Sequence, residues 1–298
     1  MPITELPAGI TPVTSPLPGW RVTTPSAEAL VTRQGAQLVH WQPAGHRPVL
    51  YLSAETQWKE NAPIRGGIPV CFPWFGGGRG LSSTSSPAEG PLDPSHGWAR
   101  VTDWDLVGAS IADDGTAELV FELSGEAFTG QPHEEHFPAD AKVRYTMRIG
   151  TELSLEFAVM AGETLVDVET ALHTYFSIAD ARQTTITGLE GADYWDKVDS
   201  QVKTQQDAVT LTSETDRVYA SGGPVRIDDG ERAIEVTTTG ASSSVVWNPW
   251  QTKARAMADF GDDDYLRMVC VESGNVLQHA IVVPPGEEHR MSVTYTVR

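Results

Sequence analysis

Cysteine is nearly missing from this chain of 298 residues: Cys71 and Cys270 are the only two, and both sit inside apolar runs. That argues against a secreted scaffold held by disulfides, and buried free thiols in a reducing compartment are expected instead. Basic residues are also scarce. Lys and Arg number 21 against 40 Asp and Glu, a formal net charge of −19. Nucleic acid and anionic membranes select cationic surfaces, so neither is expected as a partner. No uninterrupted apolar run is long enough to span a bilayer. The first twenty residues have neither the basic segment nor the apolar core of a signal peptide. The expectation is a soluble, cytoplasmic monomer.

Helical periodicity is sparse too. Trp250–Phe260 is the best helix candidate, and Ser53–Asn61 reads as one helical turn with Ser53 as its cap. Several chemical signatures are absent. The glycines from Gly76 to Gly80 are not followed by Lys-Ser/Thr, no dinucleotide fingerprint follows a strand, and no serine sits in a nucleophile elbow. His133 and His136 are three apart in a polar, proline-flanked stretch that does not match zinc-protease spacing, so a surface loop is expected there and no metal.

Strands are plentiful. Val143, Tyr145, Met147 and Ile149 alternate with Lys142, Arg144, Thr146 and Arg148. After a turn at Gly150–Glu152, Leu153, Leu155, Phe157 and Val159 alternate again. Period-two alternation on both sides of a short turn predicts a hairpin with one buried face. Further strands are read at Ala29–Gln42 (with a turn at Gly35), Val49–Leu52, Ala117–Leu123, Val166–Ile178, Ala208–Thr212, Ala233–Thr239, Val245–Trp247, Met268–Val271, Ala280–Val283 and Met291–Val297. Residues 1–20 read as an irregular lead-in. No composition shift marks a linker and no repeat is evident. The predicted fold is all-β, one large antiparallel β-sandwich spanning residues 1–298 with a few short helices.

The most unusual stretch is Arg65–Gly78. Pro69 and Pro73 break its apolar run, which rules out an ordinary central strand. Its glycines let a ligand approach the backbone, and Phe72, Trp74 and Phe75 supply flat faces. A cation, aromatic planes and permissive backbone suit a polar ring with an anionic tail. A long Ser/Pro/Gly-rich loop follows, Arg79–Pro94, read as a flap beside the site. Other uncommon stretches are Ser95–Arg100, Ala171–Phe176, Tyr194–Lys197 and Val269–Asn275. Glu272 ends a strand of bulky residues, where a carboxylate is costly unless paired or used. His173 lies in an apolar strand, where a histidine is more often a satisfied core residue. Together they can be an acid–base pair or two core residues, and spacing alone leaves both readings open.

Ile64–Gly76, His96–Arg100, Leu172–Phe176, Val246–Trp250, Ala256–Asp262 and Val269–Glu272 together resemble the hexose-6-phosphate mutarotases, the glucose-6-phosphate 1-epimerases of the aldose 1-epimerase superfamily. The matches keep the family's order and run from about Val31 to the C-terminus. The resemblance implies a galactose mutarotase-like supersandwich. It also implies interconversion of the α and β anomers of a hexose 6-phosphate, glucose 6-phosphate above all, with no cofactor and no metal. By motif position His173 matches the general acid and Glu272 the general base. Arg65 and Arg100 match the arginines that hold the substrate and its phosphate, and His96 and Asp196 match positions lining the sugar site. Trp98 stands where the family often has Phe, Ser95 where some members have Gln, and Ser273 where many have Pro. The first two bear on contacts to the sugar. The alternatives are an aldose 1-epimerase for free sugars and a non-catalytic carbohydrate-binding sandwich. The paired arginines favour the phosphorylated substrate.

Overall fold

The computed structural model describes residues 5–78 and 91–298. Two large antiparallel sheets dominate it. The nine-stranded sheet runs, from one edge to the other, Val209–Thr210, Thr185–Thr187, Val225–Asp228, Ala233–Thr239, Glu288–Val297, Glu152–Met160, Lys142–Ile149, Ala117–Ser124 and Asp105–Ile111. The eight-stranded sheet runs Gln201–Thr204, Asp193–Asp196, Thr215–Tyr219, Ser243–Asn248, Met268–Asn275, Thr170–Leu172 and Val70–Cys71, and Tyr175–Ser177 also pairs with Met268–Asn275. A four-stranded meander, Ile10–Val13, Gly19–Thr23, Ala27–Thr32 and Leu38–Pro43, and a two-stranded ladder of Val166–Val168 with Ile281–Val283 complete the strands.

The hairpin read from alternation is present, with Lys142–Ile149 paired to Glu152–Met160 in register from Lys142–Met160 to Ile149–Leu153. Val143, Tyr145, Met147 and Ile149 on one strand, and Leu153, Leu155, Phe157 and Val159 on the other, are buried. They meet the inner face of the eight-stranded sheet. Phe157 packs edge-on against Phe72 at 5.6 Å, and Tyr295 against Phe176 at 5.2 Å. The Tyr295 hydroxyl also bonds the Thr174 hydroxyl at 2.6 Å. A phenol in an apolar layer needs such a partner.

The eight-stranded sheet is covered on both faces, and this positions the site. Along Met268–Asn275, Val269 and Val271 enter the main core, while Met268 and Cys270 join a separate cluster on the far side. Leu172 and Phe176 likewise face the core, whereas Ala171 and Tyr175 face away. A strand buried on both faces shows a continuous apolar run, as Met268–Val271 does. Any polar side chain on its outer face then lies under loops instead of in bulk water.

Several expectations need correction. The lead-in is not irregular throughout, because Ile10–Val13 and Gly19–Thr23 pair as strands. Val49–Leu52 makes only isolated bridges, Leu50 to Phe176 and Leu52 to Gly66. Ser53–Asn61 forms turns without a helix; the Ser53 hydroxyl accepts from the Glu55 N–H at 3.2 Å, a local bond that competes with helix formation. Val166–Ile178 is three short strands. The helix at Trp250 ends at Ala256, four residues early, where Met257 turns extended. Most of the proposed flap lies outside the described residues.

Candidate active site

Four predicted residues, Arg65, His96, His173 and Glu272, line one cavity of about 310 Å³ on the outer face of the eight-stranded sheet. Register brings the two candidate acid–base residues together. Leu172 pairs with Ser273, so His173 and Glu272, 99 positions apart in the chain, stand on neighbouring strands. His173 Nε2 is 3.3 Å from Glu272 Oε1, and the two side chains are 11% and 1% exposed. The other polar atom of each, His173 Nδ1 and Glu272 Oε2, is buried with no hydrogen-bond partner among the described residues. Buried polar atoms are rarely left unpaired.

Burial pushes the Glu272 carboxyl well above its ordinary range; Asp216 adds to this and Lys197 opposes it. Burial also pulls the His173 imidazole down to about 3, aided by the charges of Arg65, Arg100 and Lys197. Both groups are thus driven towards their neutral forms. A neutral carboxyl beside a neutral imidazole holds one proton, the same number as a carboxylate beside an imidazolium. The pair stores a single mobile proton.

The walls keep these groups in place. Tyr175 stacks on the His173 ring at 4.8 Å and 14°, and Trp247 meets both rings edge-on at about 6 Å. Arg65 donates from Nη1 to the Tyr175 hydroxyl at 3.0 Å and from Nε to Asp259 at 3.2 Å, with Nη2 3.1 Å from the same carboxylate oxygen. Part of the guanidinium fork is therefore committed to protein. His96 accepts a backbone hydrogen bond at Nδ1 from Gly76 at 3.2 Å, which leaves Nε2 to carry the proton of the neutral ring. Burial and the Arg100 charge keep that ring neutral. Gly97 has φ +75°, and a Cβ there would lie 2.1 Å from the Phe72 carbonyl oxygen, so the His96–Arg100 turn docks on the Arg65–Gly78 stretch only through glycine. Fully buried Glu169 accepts the N–H of Phe75 at 3.1 Å and of Leu277 at 2.7 Å, tying the Phe75 wall to the sheet.

The other four predicted residues are placed differently. Arg100 is not among the lining residues, although its charge reaches His96 and His173. Its Nη2 donates to the Ser95 carbonyl at 2.5 Å, and its Nε is buried without a partner among the described residues. Ser95 thus contributes its backbone, and its side chain is exposed. Trp98 packs against the main core and donates from Nε1 to the Pro132 carbonyl at 3.1 Å, away from the cavity. Asp196 also lies off the cavity: Lys203 holds its carboxylate at 2.9 Å and the Val198 N–H caps it at 3.1 Å. Side chains alternate along a strand and its continuation. With Asp196 on one side, the adjacent Lys197 falls on the other and reaches the cavity.

Lys197, Asp216 and Lys253 join the lining without having been singled out from sequence. Lys197 Nζ is 3.5 Å from Asp216 Oδ1 and 5.3 Å from the centre of the Phe75 ring. Lys253, on the helix, donates to Glu214 at 2.8 Å. Asp216 sits opposite Trp247 in the ladder, and burial raises its carboxyl. Only ladder register brings Asp216 here. Lys197 ends the uncommon stretch Tyr194–Lys197, next to Asp196. A second hollow of about 340 Å³ on the nine-stranded sheet is lined by Asp105, Glu122, Glu126, Asp140 and Lys142, with no histidine facing them. The acid–base chemistry therefore points to the first cavity.

Residues 20–296 match the aldose 1-epimerase family profile. The chain belongs to the aldose 1-epimerase family. An Escherichia coli K12 protein with the provisional description glucose-6-phosphate 1-epimerase is 35% identical over 256 residues, covering 84% of this chain and 80% of its own. A Cenchrus ciliaris protein with the same provisional description is 33% identical over 270 residues, covering 86% and 77%. The crystal structure of a Salmonella typhimurium protein, provisionally described as a mutarotase, superposes with a TM-score of 0.85 at 29% identity and covers 100% of this chain and 96% of its own. The expected all-β mutarotase-like fold is therefore the fold of this epimerase-family chain.

Proposed function

We propose that the protein interconverts the α and β anomers of a hexose 6-phosphate, with glucose 6-phosphate the leading candidate. The observation that carries this reading is the 3.3 Å contact between His173 and Glu272 in a cavity that Arg65, Lys197 and Lys253 also line. Mutarotation takes a proton from the anomeric hydroxyl and gives one to the ring oxygen. Both oxygens are bonded to the same carbon, so a base and an acid that touch each other can reach both. Glu272, as carboxylate, takes the hydroxyl proton while His173, as imidazolium, protonates the ring oxygen. The C1–O5 bond breaks, the aldehyde forms, and rotation about C1–C2 exposes its other face. The roles then reverse on closure. Each positioned acid or base contributes about 100- to 10,000-fold.

The phosphate has a part in this proton balance. Arg65, Arg100 and Lys197 all hold the His173 imidazole down in the free site. A bound phosphate carries close to two negative charges at neutral pH and offsets that field. Substrate binding then favours the tautomer with the proton on His173, the form the ring oxygen needs. We assign Arg65 and Arg100 to the phosphate and His96 and Asp216 to the sugar hydroxyls. Buried free thiols at Cys71 and Cys270 support a reducing, cytoplasmic setting.

The test is anomer exchange of glucose 6-phosphate by saturation-transfer NMR, with free glucose in parallel. Catalysed exchange of the phosphate ester, abolished in His173→Ala, supports the proposal. Exchange of glucose at an equal specificity constant would replace it with a free-sugar epimerase. Saturable binding without exchange would make the protein a carbohydrate-binding sandwich.

A further inference from the structure

We propose that His133, Glu135 and His136 form a binding site for a divalent first-row transition ion, separate from the catalytic cavity. The three offer two imidazole nitrogens and a carboxylate oxygen, all within 4.8 Å of one another. Two imidazoles with one carboxylate suit zinc, nickel or copper far better than calcium or magnesium, which take oxygen ligands. Linear spacing alone argued against a metal here. The fold changes that, because His133 has a left-handed backbone, φ +64°, just before the short turn Glu134–His136. The chain reverses at His133 and brings its Nδ1 to 3.8 Å from Glu135 Oε1.

Ring contacts gather the donors on one side of Trp74. Both imidazoles rest against Trp74, at 5.9 Å and 6.0 Å between ring centres, and lie 6.1 Å from each other. Tetrahedral zinc with bonds of about 2.0–2.2 Å spaces its ligands roughly 3.4 Å apart. Closing from the present separations takes side-chain movements of about 1 Å, which partly exposed residues can make. Asp167, on a strand packed against this turn, has a buried carboxylate oxygen with no partner among the described residues. It adds negative charge, and so does the chain's overall charge of −19.

Such an ion would stiffen the His133–His136 turn, which touches two other segments. The carbonyl of Pro132, next to His133, accepts from Trp98, and Trp74 lies under both imidazoles. Trp74 and Trp98 belong to the two stretches that shape the site. The ion would thus stiffen this turn, and its ligands lie outside the cavity where the proton moves.

Zinc uptake should be measured by calorimetry on the chelator-washed full chain, and cobalt absorption should be recorded to report coordination. The variant is His133→Asn with His136→Gln, since Asn tolerates the left-handed backbone and both changes preserve bulk. Glu272→Gln is the control for metal entering the catalytic cavity. The expected result is one equivalent bound by wild type and by Glu272→Gln, with at least about 100-fold weaker binding in the double variant. Its unfolding transition without metal should match that of wild type. If the double variant is unstable, Glu135→Gln alone should weaken binding by about 10-fold or more. Three results would each overturn the proposal: no saturable uptake by wild type, unchanged affinity in the folded variants, or loss of uptake in Glu272→Gln.

Discussion

Glu272→Gln separates catalysis from folding, because the two respond in opposite directions. The side chain is 1% exposed and its Oε2 has no partner among the described residues. Gln matches its shape, cannot ionise, and can donate an amide N–H to the neutral His173. Loss of the base should lower anomer exchange by about 100- to 10,000-fold. That corresponds to about 2.7–5.4 kcal/mol of transition-state stabilisation at 1.36 kcal/mol per factor of ten. Stability should change differently. The unfolded carboxyl titrates near pH 4.3, whereas burial keeps the native one protonated to well above that. Between those two values the native carboxyl keeps a proton that the unfolded one has lost, a contribution that falls by about 1.4 kcal/mol for each pH unit of the window; below about pH 6.5 the lowered His173 imidazole offsets it, so wild type loses net stability above that pH. The Gln variant lacks this slope. Urea unfolding at pH 5 and pH 8, alongside exchange NMR, should show the variant gaining on wild type at pH 8 while remaining inactive at both. Exchange above about a tenth of wild type would remove Glu272 from the base role. An equal stability loss at both pH values would mean that its main contribution is structural.

The pH profile of turnover over affinity should be flat-topped and wider than isolated groups near 4.3 and 6.5 would give, because its limbs belong to the coupled pair. Activity requires one proton on the pair, so the alkaline limb follows its loss from a site where burial holds Glu272 high, and a midpoint near pH 6.5 would contradict the shared-proton account. Arg65→Met should reduce the specificity constant for glucose 6-phosphate by about 10- to 100-fold through loss of charge-assisted contacts, and that for glucose much less. Equal losses on the two sugars would show that Arg65 serves the fold through Tyr175 and Asp259. Asp216→Asn should impair exchange by at least about 10-fold, the cost of one lost contact to a charged group, while Asp196→Asn leaves it near wild type. Steady-state assays showing the reverse order would return Asp196 to the sugar site.

Local pattern was enough to define the long hairpin, several other strands and much of the chemistry, but it did not mark Asp105–Ile111, Asp193–Asp196, Thr215–Tyr219 or Val225–Asp228. Period-two alternation across Lys142–Met160 specifies both the hairpin and its buried face, because one pleated strand turns successive side chains to opposite sides. The prolines and glycines of Arg65–Gly78 mark an irregular floor without reference to any partner. His173 and Glu272 stand out because polar groups in apolar strands are costly. What the chain does not carry locally is register. Nothing within a strand tells which face meets the core and which meets a cavity when both are covered, as in Met268–Asn275. Asp196 and Lys197 were therefore indistinguishable from sequence, and the ladder with Thr215–Tyr219 decided that Lys197 enters the cavity and Asp196 turns to Lys203. Asp216 reaches the site only through its register opposite Trp247. The helix end at Ala256 and the left-handed turn at His133 are likewise settled by packing, which overrides weak local preference. A one-residue slip in any of these ladders would keep the composition and lose the site, since it carries every side chain of that strand to the opposite face.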